Sequence, residues 1–157
     1  MSGKFAQIGR VSNQAWALVL VAGLVLLGGS GWAAAEEISV VVNAQSPVET
    51  MSIDEVRSIY MGETTFWGDV HIIPISYHEG SPLLSSFLER VIRTTENVYK
   101  TYWIRRIFRE GGIPPRKAVN VESALELIAR NNGGIGFVYS GSANLGPNVR
   151  VVLRIPD

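Results

Sequence analysis

Ile38-Ser39-Val40-Val41-Val42-Asn43, followed by Met51-Ser52-Ile53-Asp54-Glu55-Val56-Arg57-Ser58-Ile59-Tyr60-Met61-Gly62, is the stretch that decides the fold. The first segment is β-branched almost throughout, the composition of a buried strand. Ser46-Pro47 ends it. In the second, Ser52 lies three residues before Glu55, a capping-box spacing, and Ile53, Val56, Ile59 and Tyr60 recur at helical intervals. Gly62 stops that short helix.

Downstream, Glu63 to Asp69 reads as a polar loop around Phe66 and Trp67. Val70 to Ile75 reads as a second strand, in which Pro74 marks a bend or an unpaired backbone position. Gly80-Ser81-Pro82 then opens a helix, with Ser81 as cap and Pro82 at the first helical position. Leu84, Phe87, Leu88, Val91 and Ile92 form its inward stripe. Thr94 or Thr95 caps a further helix whose apolar face includes Val98, Tyr99, Tyr102, Trp103, Ile107 and Phe108. Gly111-Gly112 ends that helix, and Pro114-Pro115 makes a rigid connector. A fourth helix follows Asn120, with Val121, Ala124, Leu125, Ile128 and Ala129 inward, and closes at Asn132-Gly133. Ile135 to Tyr139 and Val149 to Ile155 are the last strands. This order predicts an α/β fold in which helices cover a small mixed sheet.

Upstream lies a segment of different chemistry. Lys4 and Arg10 precede an apolar and glycine run from Ala15 to Gly29, and Ala33-Ala34-Ala35 offers the small residues of a signal-peptidase site. All fourteen Asp and Glu residues follow position 35. Residues 1–35 are therefore expected to be a cleavable signal peptide. An uncleaved anchor is the alternative, but the run is short of the ~20 residues that cross a bilayer. The expected product is periplasmic or secreted, with no stable membrane insertion after cleavage. Of 157 residues this leaves 122, enough for one domain, with twelve Lys/Arg (fourteen less Lys4 and Arg10) against fourteen Asp/Glu. A net charge of −2 gives no nucleic-acid footprint. With no cysteine in the chain, disulfides, thiolate metal sites and a lipidated N-terminal Cys are excluded, and the domain must rely on an ordinary core.

Tyr77-His78-Glu79-Gly80-Ser81 is the best candidate site, because it leaves a strand and enters a helix where free N–H groups favour an anion. Gly80 permits close approach and the Ser81 hydroxyl can donate. An ordinary capped turn accounts for the same residues. Two histidines without cysteine identify no metal set, and neither an activated nucleophile nor paired carboxylates accompany His78 and Glu79, so no enzyme, cofactor or metal is expected. Lys100, Arg105, Arg106, Arg109, Arg116 and Lys117 concentrate positive charge among aromatics. Helical spacing assigns those aromatics to core and the cations to a solvated face. Trp67 either packs on the sheet or lines a ligand mouth.

The segments from Val40 to Gly62, with Phe66-Trp67, resemble the opening of the phosphate-type periplasmic solute-binding proteins of ABC transporters, where a strand precedes "L-x-x-I-F-x-G-x-x-x-x-W". Gly133-Gly134-Ile135-Gly136-Phe137-Val138-Tyr139 is similar to that family's late "P-G-A-I-G-Y-V" strand. The resemblance implies a type-II periplasmic-binding-protein-like fold, here a single lobe over residues 36–157, where full members close two lobes on an oxyanion and deliver it to a permease. It implies phosphate or another small oxyanion as ligand, held by Gly80 and Ser81 with Tyr77, His78 and Trp67 nearby, and an ABC permease or envelope protein as partner. The family loop reads "R-S-x-G-S-G-T". Its arginine falls on Tyr77, and its next glycine and threonine on Pro82 and Leu83, so the bidentate clamp for phosphate is missing. The alternative is an envelope protein-interaction or accessory domain that kept the fold and lost the ligand, with an exposed apolar patch expected around Trp67 and Tyr77.

Overall fold

Strand β1 (Ile38–Asn43) is buried at all six positions, because a strand pairs with each of its edges and helices cover both faces of the sheet. The computed structural model describes residues 36–141 and 144–156; the leader, residues 1–35, lies outside them. β1 pairs antiparallel with β6 (Gly134–Tyr139), Val40 opposite Phe137, and antiparallel with β7 (Val149–Ile155), with a register shift between Val40 and Val41. β4 (Ile73–Tyr77) pairs in parallel with β6 and with β5 (Arg116–Ala118), giving the order β5-β4-β6-β1-β7. β1 runs against the other four. The sheet is mixed, as the sequence predicts.

The two faces can be told apart on β6, where successive side chains point to opposite sides. The Phe137 ring stacks on Phe87 of α2 (Pro82–Phe87), centroids 3.8 Å apart. Tyr60 and Tyr77 add edge-on contacts to Phe137 on this side. On the other face a Cβ at Gly134 would come within 2.7 Å of the Ile128 α-carbon in α4 (Val121–Ala129). Only glycine lets that helix sit so close.

The helix ends are satisfied from elsewhere in the chain. In α1 (Ile53–Tyr60) the Ser52 hydroxyl accepts from the Glu55 N–H while the Glu55 carboxylate accepts from the Ser52 N–H at 2.7 Å, the predicted box. Asn120 and Ser123 form a similar box for α4. At the far end of α4 the buried Asn43 amide donates to the carbonyls of Ile128 and Ala129, at 3.0 and 2.9 Å. Such orphan carbonyls need a partner when water is excluded. α2 continues into a π-helical turn, Leu88–Ile92, that ends at Arg93 with φ of 61°. The predicted inward stripe from Leu84 to Ile92 is buried throughout.

Three expectations are corrected. The loop at Glu63–Asp69 contains a strand: β2 (Phe66–Trp67) and β3 (Val70–His71) form a hairpin across Gly68-Asp69, with Gly68 at φ of 57°. A two-residue Gly-Asp link between apolar residues is itself a hairpin signal. The strand predicted over Val70 to Ile75 is thereby broken at Ile72. Pro74 lies inside β4. The Ile73 N–H points to β6, onto Gly133 O at 2.8 Å. The Pro74 nitrogen consequently faces the β5 side, where pairing begins one residue later, at Ile75 with Arg116. β5, directly after Pro114-Pro115, is the second element absent from the sequence reading.

The third correction concerns α3 (Glu96–Glu110). Of its predicted apolar face only Trp103 is buried, with Tyr99 and Tyr102 partly so. Val98, Ile107 and Phe108 are exposed. The inner face is held by a polar ladder on the C-terminal end of α1. Tyr99 Oη donates to Tyr60 O at 2.6 Å, Tyr102 Oη to Met61 O at 2.6 Å, and Arg106 Nη2 to Gly62 O at 2.8 Å. These are the carbonyls that α1 cannot satisfy within itself. Burial of Trp103 and this hydrogen-bond ladder together seat α3.

Candidate functional site

The carboxyl ends of the three parallel strands lie along one edge of the sheet. β4 ends at Tyr77, β5 at Ala118 and β6 at Tyr139. From β4 the chain moves outward to β5, then crosses through α4 to β6 on the other side. Open α/β sheets bind ligands beside the strand at which connections diverge in this way. Tyr77-His78-Glu79-Gly80-Ser81 leaves that strand.

Within the turn the residues have different fates. Tyr77 is only 4% exposed, and its hydroxyl donates to Phe137 O at 2.9 Å. Burial, with a smaller contribution from Glu122, pushes its hydroxyl pKa upward. The apolar patch expected around Tyr77 is therefore absent, because this ring belongs to the core. His78 is exposed. Gly80 adopts φ of 82°, a region open to glycine at little cost, and nothing crowds its α-carbon. The Ser81 hydroxyl makes no capping bond to α2. Trp67 is half-buried against the core and lines a separate depression with Met51, Glu55 and Ser58. The structure does not bring Trp67 to the turn.

The anion at the turn is the protein's own. Gly80 N–H donates to Glu96 Oε2 at 2.9 Å, and the Ser85 hydroxyl donates to the other oxygen of the same carboxylate. Beside it, Glu79 bridges Lys100 Nζ at 2.9 Å and Lys117 Nζ at 3.4 Å. Hydrogen bonds from Lys100, then Lys117, hold the Glu79 carboxyl below its ordinary range. The nearby cations are thus two lysines that sequence reasoning placed on a solvated face, while Arg106 is committed to Gly62 O and to the Tyr102 hydroxyl. Glu96 and Ser85 were also missed. The only local signal is that Glu96 is acidic in the first turn of α3, and its approach to Gly80 spans sixteen positions. Next to the turn a cavity of about 190 Å³ opens between Tyr77, Leu84, Leu88, Tyr99, Trp103 and Pro114. Among the described residues no cluster of three His, Cys, Asp or Glu could hold a metal ion, and no helix is long and apolar enough to cross a membrane.

The fold is shared with solved structures. An ABC-type phosphate transport receptor from Vibrio cholerae superposes with a TM-score of 0.60 at 20% identity, over 76% of this chain and 46% of that one. The chain has the fold of such receptors. A Clostridium perfringens protein described as a phosphate ABC transporter substrate-binding protein, with phosphate bound, matches at 0.56 and 16% identity, over 79% of this chain and 56% of its own. A protein described as a possible phosphate binding protein from Planctomyces limnophilus matches at 0.57 and 14% identity, over 76% and 41%. This chain thus spans about half the length of these receptors, the extent of one lobe. No protein-family model matches the sequence, and no curated protein is significantly similar to it.

Proposed function

We propose that the protein is an extracytoplasmic, non-enzymatic binding lobe that takes a phosphate-class oxyanion at the β4–α2 turn, in exchange for the Glu96 carboxylate. The leader, residues 1–35, would export it and be removed. The observation that carries the reading is the carboxylate seated on Gly80 N–H and the Ser85 hydroxyl. Donors that converge on one oxyanion suit another. The Ser81 hydroxyl and the two Glu79-bound lysines are further donors for a ligand larger than a carboxylate. Without an arginine clamp, and with Glu79 and Glu96 at the rim, affinity is expected to be weak.

Titration calorimetry with inorganic phosphate tests this on the native protein and on Glu96→Ala. Native protein should bind at millimolar levels, and the variant about tenfold tighter, as one like charge and one competitor are removed. Absence of heat from both, with folding confirmed, would discard the reading. An envelope accessory lobe without ligand is the second reading. It is favoured by one observation, the exposed apolar side chains of α3.

A further inference from the structure

We propose that the outer face of α3 docks the domain peripherally on an anionic phospholipid surface. Phe108 is 86% exposed, and Ile104, four residues earlier and 47% exposed, stands beside it on the same helical face. Ile113, in the connector just beyond the helix, is 78% exposed. Arg105 and Arg109, four residues apart, form the adjacent row, are exposed, and carry no hydrogen bond or ion pair among the described residues.

Apolar side chains flanked by unpaired cations match the two layers of a lipid interface, acyl boundary beneath and phosphate headgroups above. The charge also selects among occupants. A second copy placed face to face would set Arg105 and Arg109 against their equivalents. A protein groove would need to receive apolar side chains that project from a helix end, whereas a bilayer deforms around them. Docking of this kind is adsorption, not insertion, and agrees with the absence of a membrane-spanning helix among the described residues. It does not rest on the oxyanion reading, although Ile104 also lines the cavity beside that turn.

Vesicle co-sedimentation provides the test, using residues 36–157, whose buried cluster from Ile38 to Ile155 is built from its own side chains. The probes are vesicles of phosphatidylglycerol with phosphatidylcholine, and of phosphatidylcholine alone. Partitioning should require phosphatidylglycerol and fall steeply as salt is raised from about 0.1 M to about 1 M. Phe108→Ser with Ile104→Ser, and separately Arg105→Glu with Arg109→Glu, should each weaken it about tenfold or more. Val119→Ser, exposed to a similar degree but outside the face, should leave it unchanged. Failure of native protein to bind either vesicle overturns the proposal and leaves the face to a protein partner. Equal binding to both vesicles, or binding that survives the double variants, overturns it as well.

Discussion

The β4–α2 turn and the outer face of α3 have exchanged the conditions that their sequences suggest. The turn carries a glycine and hydroxyls suited to an external anion, yet Gly80 N–H and Ser85 are occupied by Glu96. The helix carries an apolar stripe suited to a core, yet Ile104, Ile107 and Phe108 face water. The difference is one of range. A long carboxylate can find a donor sixteen positions away, because directional bonds need only one partner each. An apolar face needs a whole neighbouring surface, and once Tyr99, Trp103 and Arg106 have fixed α3 on α1, no other described residue buries Ile104 or Phe108 on its back. Unsatisfied surface, more than polar chemistry, marks where this molecule is incomplete.

The contrast breaks first, and by the largest amount, inside α3. Trp103 is 6% exposed on the inner face, and Trp103→Ala should cost about 3–5 kcal/mol in urea unfolding. Phe108→Ser on the outer face should stay within about 0.5 kcal/mol of native. Equal losses would mean that both faces are buried, and the account of α3 would fail.

Arg106→Ala sharpens the same contrast at a smaller scale. It removes the bond to Gly62 O at 2.8 Å and the bond to the Tyr102 hydroxyl at 2.8 Å, and frees Glu110. A loss of about 1–3 kcal/mol is expected from an abandoned, part-buried carbonyl and its charged donor, with faster amide exchange at the end of α1. Unchanged exchange there would show that Trp103 packing seats the helix without the ladder.

Most of this sheet was legible because its signals are local. Runs of β-branched residues located β1 and β7, and Ser52 with Glu55 announced α1. The strands β2, β3 and β5 are two or three residues long, too short for periodicity to register, and β5 exists only because β4 offers it an edge. The candidate turn was legible in place but not in state. Glu96, Lys100 and Lys117 reach it through tertiary structure, and no spacing rule connects positions 79, 100 and 117. α3 was misread for a related reason. Helical periodicity reports that a face is apolar, but not whether anything else in the chain is there to meet it.

The smallest predicted effect lies in the lysine bridge. Glu79 joins the turn to α3 through Lys100 and to β5 through Lys117, and all three side chains are about half exposed, so water and salt weaken the pair. Its carboxyl pKa is lowered in the folded protein, so the unfolded chain binds its proton more readily. The bridge therefore stabilises fully above the ordinary carboxylate range, and that stability is lost as pH falls through the lowered value. Glu79→Gln should lower the urea midpoint slightly at neutral pH, less so in high salt, and native and variant should converge in strong acid. The substitution also releases two ammonium groups beside the turn, so phosphate should bind a few-fold more tightly, by roughly the energy of one screened charge pair. A variant that loses stability without gaining phosphate would place the lysines outside the anion site and leave the bridge a purely structural clasp.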